Sequence, residues 1–369
     1  MSVPTSTRAA VLTEHGEPLH LTELPLPAEV EPGAALVRVS CATLCGTDVE
    51  IWSGKMSFPG MLPMVLGHEM VGEVVAVGPG TRDALGRDVP VGARIGWSES
   101  TCGECYGCTV LREPVACAKR GYGFLQRSDV HPYATAGLCE YAYVVPGAAK
   151  LLLPDDLPDT WAAMAGCAAK TVLRAFHGVG GVAPGSRVVI QGSGALGVFA
   201  TAVARISGAG TVITVGAPAS RLTLAGRFGA DATVDIALGS DGVVERVREL
   251  TGGHGADLVM DFAGAPSVGH EAVAMAAQRG RVVIVGTTGP GSAPLPLGTV
   301  MGKELTVVGS LNGDIADYHR AIEFFGAFGD RMPWHELFGT PVGLSAASDR
   351  IEAMHRLDEV KAVIDPRLP

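Results

Sequence analysis

Between Arg187 and Gly309, six short runs rich in Val and Ile alternate with stretches of helical pattern, and this alternation limits the folds open to the chain more than any other feature. The runs are Arg187–Gln191, Thr211–Val215, Thr233–Ile236, Asp257–Phe262, Arg281–Val285 and Leu305–Gly309. Helices are expected over Ala195–Ile206 and around Ser220–Phe228, Asp241–Leu250 and Ser267–Gln278. A strand that is apolar on both faces must be covered on both, so the pattern reads as a parallel sheet between two helical layers, a doubly wound α/β fold. Before Pro154 the rhythm differs. Short segments such as Ala35–Ser40, Met70–Val77 and Tyr141–Val145 are separated by Gly and Pro, which predicts a compact β-rich domain with functional loops. After about Leu311 the chain reads as mixed helix and loop that returns to the first domain. Fifty glycines and 24 prolines in 369 residues fit many tight turns. They stay below the roughly 25–30% of low-complexity chains, and they lack the three-residue period of collagen.

The first run of the sheet ends in Gly192-Ser193-Gly194-Ala195-Leu196-Gly197, a G-x-G-x-x-G turn that opens a helix. Gly192 permits the tight turn, Gly194 leaves room for a pyrophosphate, and Gly197 lets helix and strand approach closely. Phosphates would then sit on the free amides of the helix N-terminus. Such a turn expects an acid about 20 residues on to hold the adenosine ribose. The residue at the end of the second strand is Gly216, so the carboxylate that would repel a 2′-phosphate is missing and NADP is permitted beside NAD. Arg221 is either a phosphate partner or a solvated helix residue. Gly216→Asp should shift the NAD/NADP ratio of kcat/KM.

With 28 basic against 38 acidic residues the net charge is −10, and no basic run offers a footprint for nucleic acid. No stretch reaches the ~18 apolar residues of a membrane helix, and the start MSVPTSTRAAVL carries no secretory apolar core, which points to the cytoplasm. Eight cysteines are too few for a disulfide scaffold in a chain this long. Four of them, Cys102-x2-Cys105-x2-Cys108-x8-Cys117, fall within one loop. Four thiolates so close can complete a tetrahedral zinc shell with no open position, a stapling role for a lobe of about residues 96–120. Cys41 and Cys139 read as small core residues, and His131 as a solvated loop histidine or part of a substrate pocket.

The motifs Cys45-Gly46-Thr47-Asp48, Gly67-His68-Glu69, the four-cysteine loop, Cys167 with Thr171, and Gly192–Gly197 occur in an order that resembles the zinc-dependent medium-chain alcohol dehydrogenases. The resemblance implies a GroES-like β-rich catalytic domain (1–167), a Rossmann NAD(P)-binding domain (168–310) and a C-terminal return to the catalytic domain (311–369). It implies two zinc ions per chain, one stapling the loop and one catalytic ion on Cys45, His68 and Cys167 with a fourth position open. Asp48 would fix the tautomer of His68, Glu69 would lie behind the metal, and Thr47 would hydrogen-bond the substrate oxygen. Thr171 and backbone near Val285, Gly286 and Thr287 would border the nicotinamide, and Lys361 would meet the pyrophosphate. The implied activity is reversible hydride transfer between a secondary, cyclic or polyol alcohol, or its carbonyl, and NAD or NADP, by a homodimer or homotetramer. Three departures stand out. The fourth cysteine follows a gap of eight residues instead of seven. Glu50 occupies the place of a relay histidine, where it either relays or faces water. The ribose acid is absent. The alternatives are a thiol-adduct (formaldehyde-type) dehydrogenase, zinc-free quinone or enoyl reduction, and a zinc-stapled nucleotide-binding protein without catalysis.

Overall fold

The computed structural model describes residues 3–286 and 294–369. In chain order the strands are β1 (Ser6–Leu12), β2 (His20–Pro25), β3 (Ala35–Thr43), β4 (Met64–Val65), β5 (Glu69–Val77), β6 (Arg94–Ser100), β7 (Tyr141–Val144), β8 (Ala148–Leu152), β9 (Arg187–Gln191), β10 (Thr211–Gly216), β11 (Ala232–Asp235), β12 (Ala256–Asp261), β13 (Ala276–Ile284), β14 (Thr306–Gly309) and β15 (Val363–Ile364). The chain divides into two compact units. One comprises Met1–Cys167, Gly313–Ala327 and Leu337–Pro369, and the other Ala168–Asn312 and Phe328–Glu336.

The first unit is antiparallel and β-rich. One small sheet has the order β2-β1-β4, and a larger one runs β15-β3-β5-β6-β8 with β7 also paired to β3. Register between β3 and β5 slips twice, once before Val37 and once before Cys41. Such irregularities bend a strand and re-aim the side chains beyond it. Val37, Val39, Val74, Ile95 and Trp97 fill the interior of this sheet. The last segment of the chain closes it, with Val363 opposite Thr43 and Ile364 opposite Ala42.

The second unit is a six-stranded sheet in the order β11-β10-β9-β12-β13-β14, parallel throughout. Val188, Val189 and Ile190 are fully buried, as a central strand covered on both faces requires. One expected element differs: the helix predicted to reach Gln278 ends at Met275, and β13 begins at Ala276. Ala276 pairs with Ala256, and Arg279 then takes φ +59° beside Gly280, so strand pairing overrides the helical preference of the alanines. Cys167 lies in a π-helical turn, Ala165–Ala169, between the helices Asp159–Met164 and Lys170–Gly178. Such wide turns are rare and recur at functional sites. Among the described residues no helix is long and apolar enough to cross a membrane.

Candidate active site

The helix Gly46–Trp52 starts directly after β3, with Cys45 at its N-cap. Asp48, three residues into the turn and fully buried, reaches back so that its Oδ2 accepts the Cys45 N–H at 2.8 Å. This is one half of a capping box. Its other oxygen, Oδ1, accepts the Gly67 N–H at 3.0 Å and lies 3.3 Å from His68 Nδ1. A single carboxylate therefore holds the Cys45 backbone and the His68 segment together. Gly67 sits at φ +87°, a conformation that suits glycine, and its carbonyl accepts the Gly137 N–H at 2.7 Å. With Nδ1 turned to Asp48, the other side of the His68 ring is left for Cys45, with which it also hydrogen-bonds.

Ligand atoms of Cys45, His68, Glu69 and Cys167 all lie within 4.8 Å of one another. The Cys45 thiol is held well below its ordinary value, first by the hydrogen bond from Cys167 and then by His68, against the opposing effect of burial. For His68 burial acts downward, but Asp48 and Cys45 outweigh it and hold the imidazole well above its usual range. Burial pushes Glu69 up to about 7 although Lys361 pulls it down. Two sulfurs, one imidazole and a carboxylate are the donors zinc prefers, and an ion entering here would displace the protons that the cluster otherwise shares.

The rear of this cluster is sealed. Glu69 Oε2 accepts from Thr43 Oγ1 and pairs with Lys361 Nζ at 2.6 Å, while all three side chains are buried. Lys361 also donates to the Leu44 carbonyl at 3.3 Å. This corrects the expectation for Lys361. An ammonium only 1% exposed and committed to Glu69 cannot reach a pyrophosphate; it is the counter-charge of Glu69 within this cluster. On the front, Thr47 and Cys167 are half-buried. Glu50 is half-buried, and its Oε1 pairs with Lys55 Nζ at 2.9 Å.

The four loop cysteines form a second cluster, also within 4.8 Å. Cys105 and Cys108 sulfurs are 3.7 Å apart and those of Cys102 and Cys117 3.6 Å, too long for disulfides. Zinc–sulfur bonds of ~2.3 Å in a tetrahedron give edges of about 3.8 Å, so the observed spacing fits that ion. Cys117 Sγ further accepts the N–H groups of Cys102 and Lys119, each at 3.4 Å.

In the second unit each glycine of the turn has its own geometric reason. Gly192 has φ +110°. A Cβ at Gly197 would strike the Gly192 carbonyl, whereas one at Gly194 would meet open space. Gly194 caps the helix Ala195–Ile206, whose first internal bond runs from Val198 N–H to Gly194 O at 2.9 Å. The amides of Ala195, Leu196 and Gly197 therefore have no intrahelical acceptor. Ser193 Oγ donates to the Ala217 carbonyl at 2.9 Å, and a Cβ at Gly216 would collide with the Ser193 side chain. Gly216→Asp thus perturbs packing as well as charge, which weakens it as a test of cofactor choice. Arg221, in the first turn of the helix Ala219–Arg227, is half-buried. Thr171 is buried in the helix Lys170–Gly178. The Val285 and Gly286 amides both donate to the Asp261 carbonyl at 3.0 Å, and Thr287 lies outside the described residues.

Two family models match the chain: an alcohol dehydrogenase GroES-like domain over residues 31–155 and a zinc-binding dehydrogenase over 195–327. The 5-exo-hydroxycamphor dehydrogenase of Pseudomonas putida is 32% identical over 98% of this chain and 99% of its own. The chain belongs to the zinc-dependent medium-chain dehydrogenase/reductase (alcohol dehydrogenase) family. L-threonine 3-dehydrogenase of Pyrococcus furiosus is 33% identical over 80% of each chain. The crystal structure of an alcohol dehydrogenase from Thermotoga maritima superposes with a TM-score of 0.88 at 28% identity, covering 98% of this chain and 99% of that one. The protein is therefore an oxidoreductase of this family, with two clusters able to hold metal and an NAD(P)-binding fold.

Sequence reasoning missed two sets of residues. Lys361 was read at the wrong site. The aromatic residues beside His68 were not read at all: Phe124 lies against the imidazole with ring centroids 4.4 Å apart, and Tyr122 stands edge-on to Phe124 at 5.7 Å. Their advance signal was their place ahead of His131, in a loop for which a substrate pocket was one of two readings.

Proposed function

We propose that the protein is a zinc-dependent alcohol dehydrogenase that moves hydride reversibly between a secondary, cyclic or polyol alcohol, or its carbonyl, and NAD or NADP. The observation that carries this reading is the convergence of Cys45, His68 and Cys167 around one point, with Asp48 setting the ring tautomer of His68. These three side chains would hold the catalytic ion, and Cys102, Cys105, Cys108 and Cys117 the structural one. Bound there, zinc supplies the Lewis acidity that makes an alcohol proton removable near neutral pH. Thr47 hydrogen-bonds the substrate hydroxyl and takes its proton outward. Asp48 keeps Nε2 of His68 free for the metal. Lys361 and Glu69 form a closed ion pair that keeps water from the rear of the site. Gly192–Gly197 receives the pyrophosphate on the amides of Ala195, Leu196 and Gly197, and Arg221 meets the 2′-phosphate of NADP. Thr171, Val285 and Gly286 border the nicotinamide, which is the hydride acceptor.

Elemental analysis should find two zinc ions per chain, and Cys45→Ala should lose one together with turnover while still binding NAD(P)H. An alcohol and ketone panel run with both cofactors gives the activity. Near-normal turnover in Cys45→Ala, or no hydride transfer with any substrate, rejects the reading.

A further inference from the structure

The metal cluster has one sealed flank and one partly open flank, and the open one carries aromatic residues. Asp48, Glu69 and Thr43 are fully buried and Lys361 nearly so, which leaves no entry from their side. Thr47, His68, Cys167, Tyr122 and Phe124 are each half-buried, so a substrate approaches across them. On that flank the Phe124 ring lies over His68, tilted by 31°, and Tyr122 meets it in a T-shaped contact at 71°.

The charges near this wall are already committed. Arg120 pairs with Glu99 at 3.2 Å, donates to the carbonyls of Val115 (3.4 Å) and Gly313 (3.1 Å), and stacks over Tyr122 at 5.0 Å. Glu50 is paired with Lys55. An amino-acid substrate would need two counter-charges here, and a polyol several open hydrogen-bonding groups; among the described residues this wall's neighbouring charges are paired, and its two rings carry a single hydroxyl, on Tyr122. It offers apolar faces instead, which bind a carbon ring through dispersion and exclusion of water.

The wall is also held in place. Ser100 and Gly121 exchange backbone hydrogen bonds, each of 2.9 Å. Thr135 Oγ1 donates to the Gly123 carbonyl at 2.7 Å, and a Cβ at Gly123 would come within 2.7 Å of the Thr135 carbonyl. The turn Gly123–Leu125 therefore presents Phe124 from a fixed backbone. A wall ordered before binding lowers the cost of capture.

We propose that Phe124 and Tyr122 set the substrate class: an uncharged secondary alcohol borne on a carbon ring, docked against Phe124, in preference to polyols and amino acids. The proposal rests on the dehydrogenase reading above and adds to it the class of alcohol.

The test compares wild type, Phe124→Ala and Phe124→Leu with cyclohexanol, propan-2-ol, glycerol and L-threonine as substrates. Zinc content is measured for each, so that loss of metal is not mistaken for loss of the wall. Cyclohexanone binding is measured by calorimetry with oxidised cofactor present, where no turnover occurs. Wild type should prefer cyclohexanol. Phe124→Ala should lose about 10- to 100-fold in kcat/KM for cyclohexanol and in cyclohexanone affinity, stay within about threefold on propan-2-ol, and Phe124→Leu should fall between. Equal losses on all substrates, or a wild-type preference for glycerol or L-threonine, overturn the proposal while leaving the dehydrogenase reading intact. If no alcohol is oxidised that reading fails, and cyclohexanone binding still decides: weaker in Phe124→Ala supports the wall, unchanged overturns it.

Discussion

Asp48→Asn is the sharpest perturbation of the metal centre because it preserves shape and removes an acceptor. Three donors converge on the wild-type carboxylate: the Cys45 N–H at 2.8 Å on Oδ2, and the Gly67 N–H at 3.0 Å with His68 Nδ1 at 3.3 Å on Oδ1. An amide has one carbonyl oxygen, so one arm of the site must face an NH2 group. If the oxygen stays on the Gly67 and His68 side, the buried Cys45 N–H loses its acceptor. A buried donor left unsatisfied costs about 1–3 kcal/mol. If the amide turns over, its NH2 faces His68 Nδ1, which must then accept; the proton moves to Nε2, and the ring can no longer ligate. Either route should weaken the Cys45–His68–Cys167 site by about 10- to 100-fold, equivalent to about 1.4–2.8 kcal/mol. A zinc titration against a chromophoric chelator at pH 7 measures this directly. The four-cysteine lobe serves as the internal control, since Asp48 has no part in it. Turnover should fall with the occupancy of the weakened site. Unchanged zinc affinity together with unchanged thermal stability would refute the argument that this carboxylate organises the ligands.

Other consequences can be measured independently. Lys361→Met leaves the buried Glu69 carboxylate without its cation and should cost about 3–5 kcal/mol in denaturant unfolding, most of which Lys361→Met with Glu69→Gln should restore; a single variant no less stable than the double one would count against the pairing. Arg221→Ala should raise the KM for NADP by about tenfold or more, as expected for loss of a charge-assisted contact, and leave the KM for NAD unchanged; equal effects on both cofactors would remove Arg221 from the phosphate. Burial depresses the Lys150 ammonium to about 8. Below pH 8 both folded and unfolded chains carry this proton, and the folded state bears the full desolvation cost. As pH rises from 8 to about 10.4 only the unfolded chain keeps it, so this contribution to stability recovers with pH. Lys150→Met should therefore stabilise the protein at pH 7 by about 1–3 kcal/mol, the lost bonds to the Val145 and Ala148 carbonyls being the offset, and the gain should shrink above pH 9. A gain that grows with pH would show that desolvation is not the cause.

How much could be read in the sequence follows from how local each signal is. The central runs of the second unit were legible because β9, β10 and β12 are buried on both faces, and that leaves an unbroken apolar pattern. The four-cysteine lobe was legible because its ligands fall in one loop. The end of the helix near Met275 was not, because pairing of Ala276 with Ala256 is a long-range contact that a run of alanines does not announce. Gly216 shows a subtler loss. Read alone it is a missing acid that admits a 2′-phosphate. In the structure it is also the place where Ser193 fills the space of a side chain, so steric demand by itself suffices to keep glycine there. The absence of the acid therefore says less about the cofactor than its position in the motif implies, and Arg221 becomes the better probe.

The same logic explains Lys361 and Phe124. Position along the chain placed Lys361 among basic residues that face a pyrophosphate, but its direction is set by register. The Leu44 N–H bonds the Ala362 carbonyl at 3.0 Å, and Val363 lies opposite Thr43, so the final segment runs antiparallel to the end of β3. This pairing carries the lysine behind Cys45 and onto Glu69. A slip of one residue would turn that side chain to the other face. Phe124 depends on a shorter-range bond, that between Thr135 and Gly123, which fixes the turn that sets its ring against His68. Ligand identity is thus written in residue types that a sequence displays. What packs around the Cys45, His68 and Cys167 cluster is written in strand register and loop closure, and only the folded chain makes this visible.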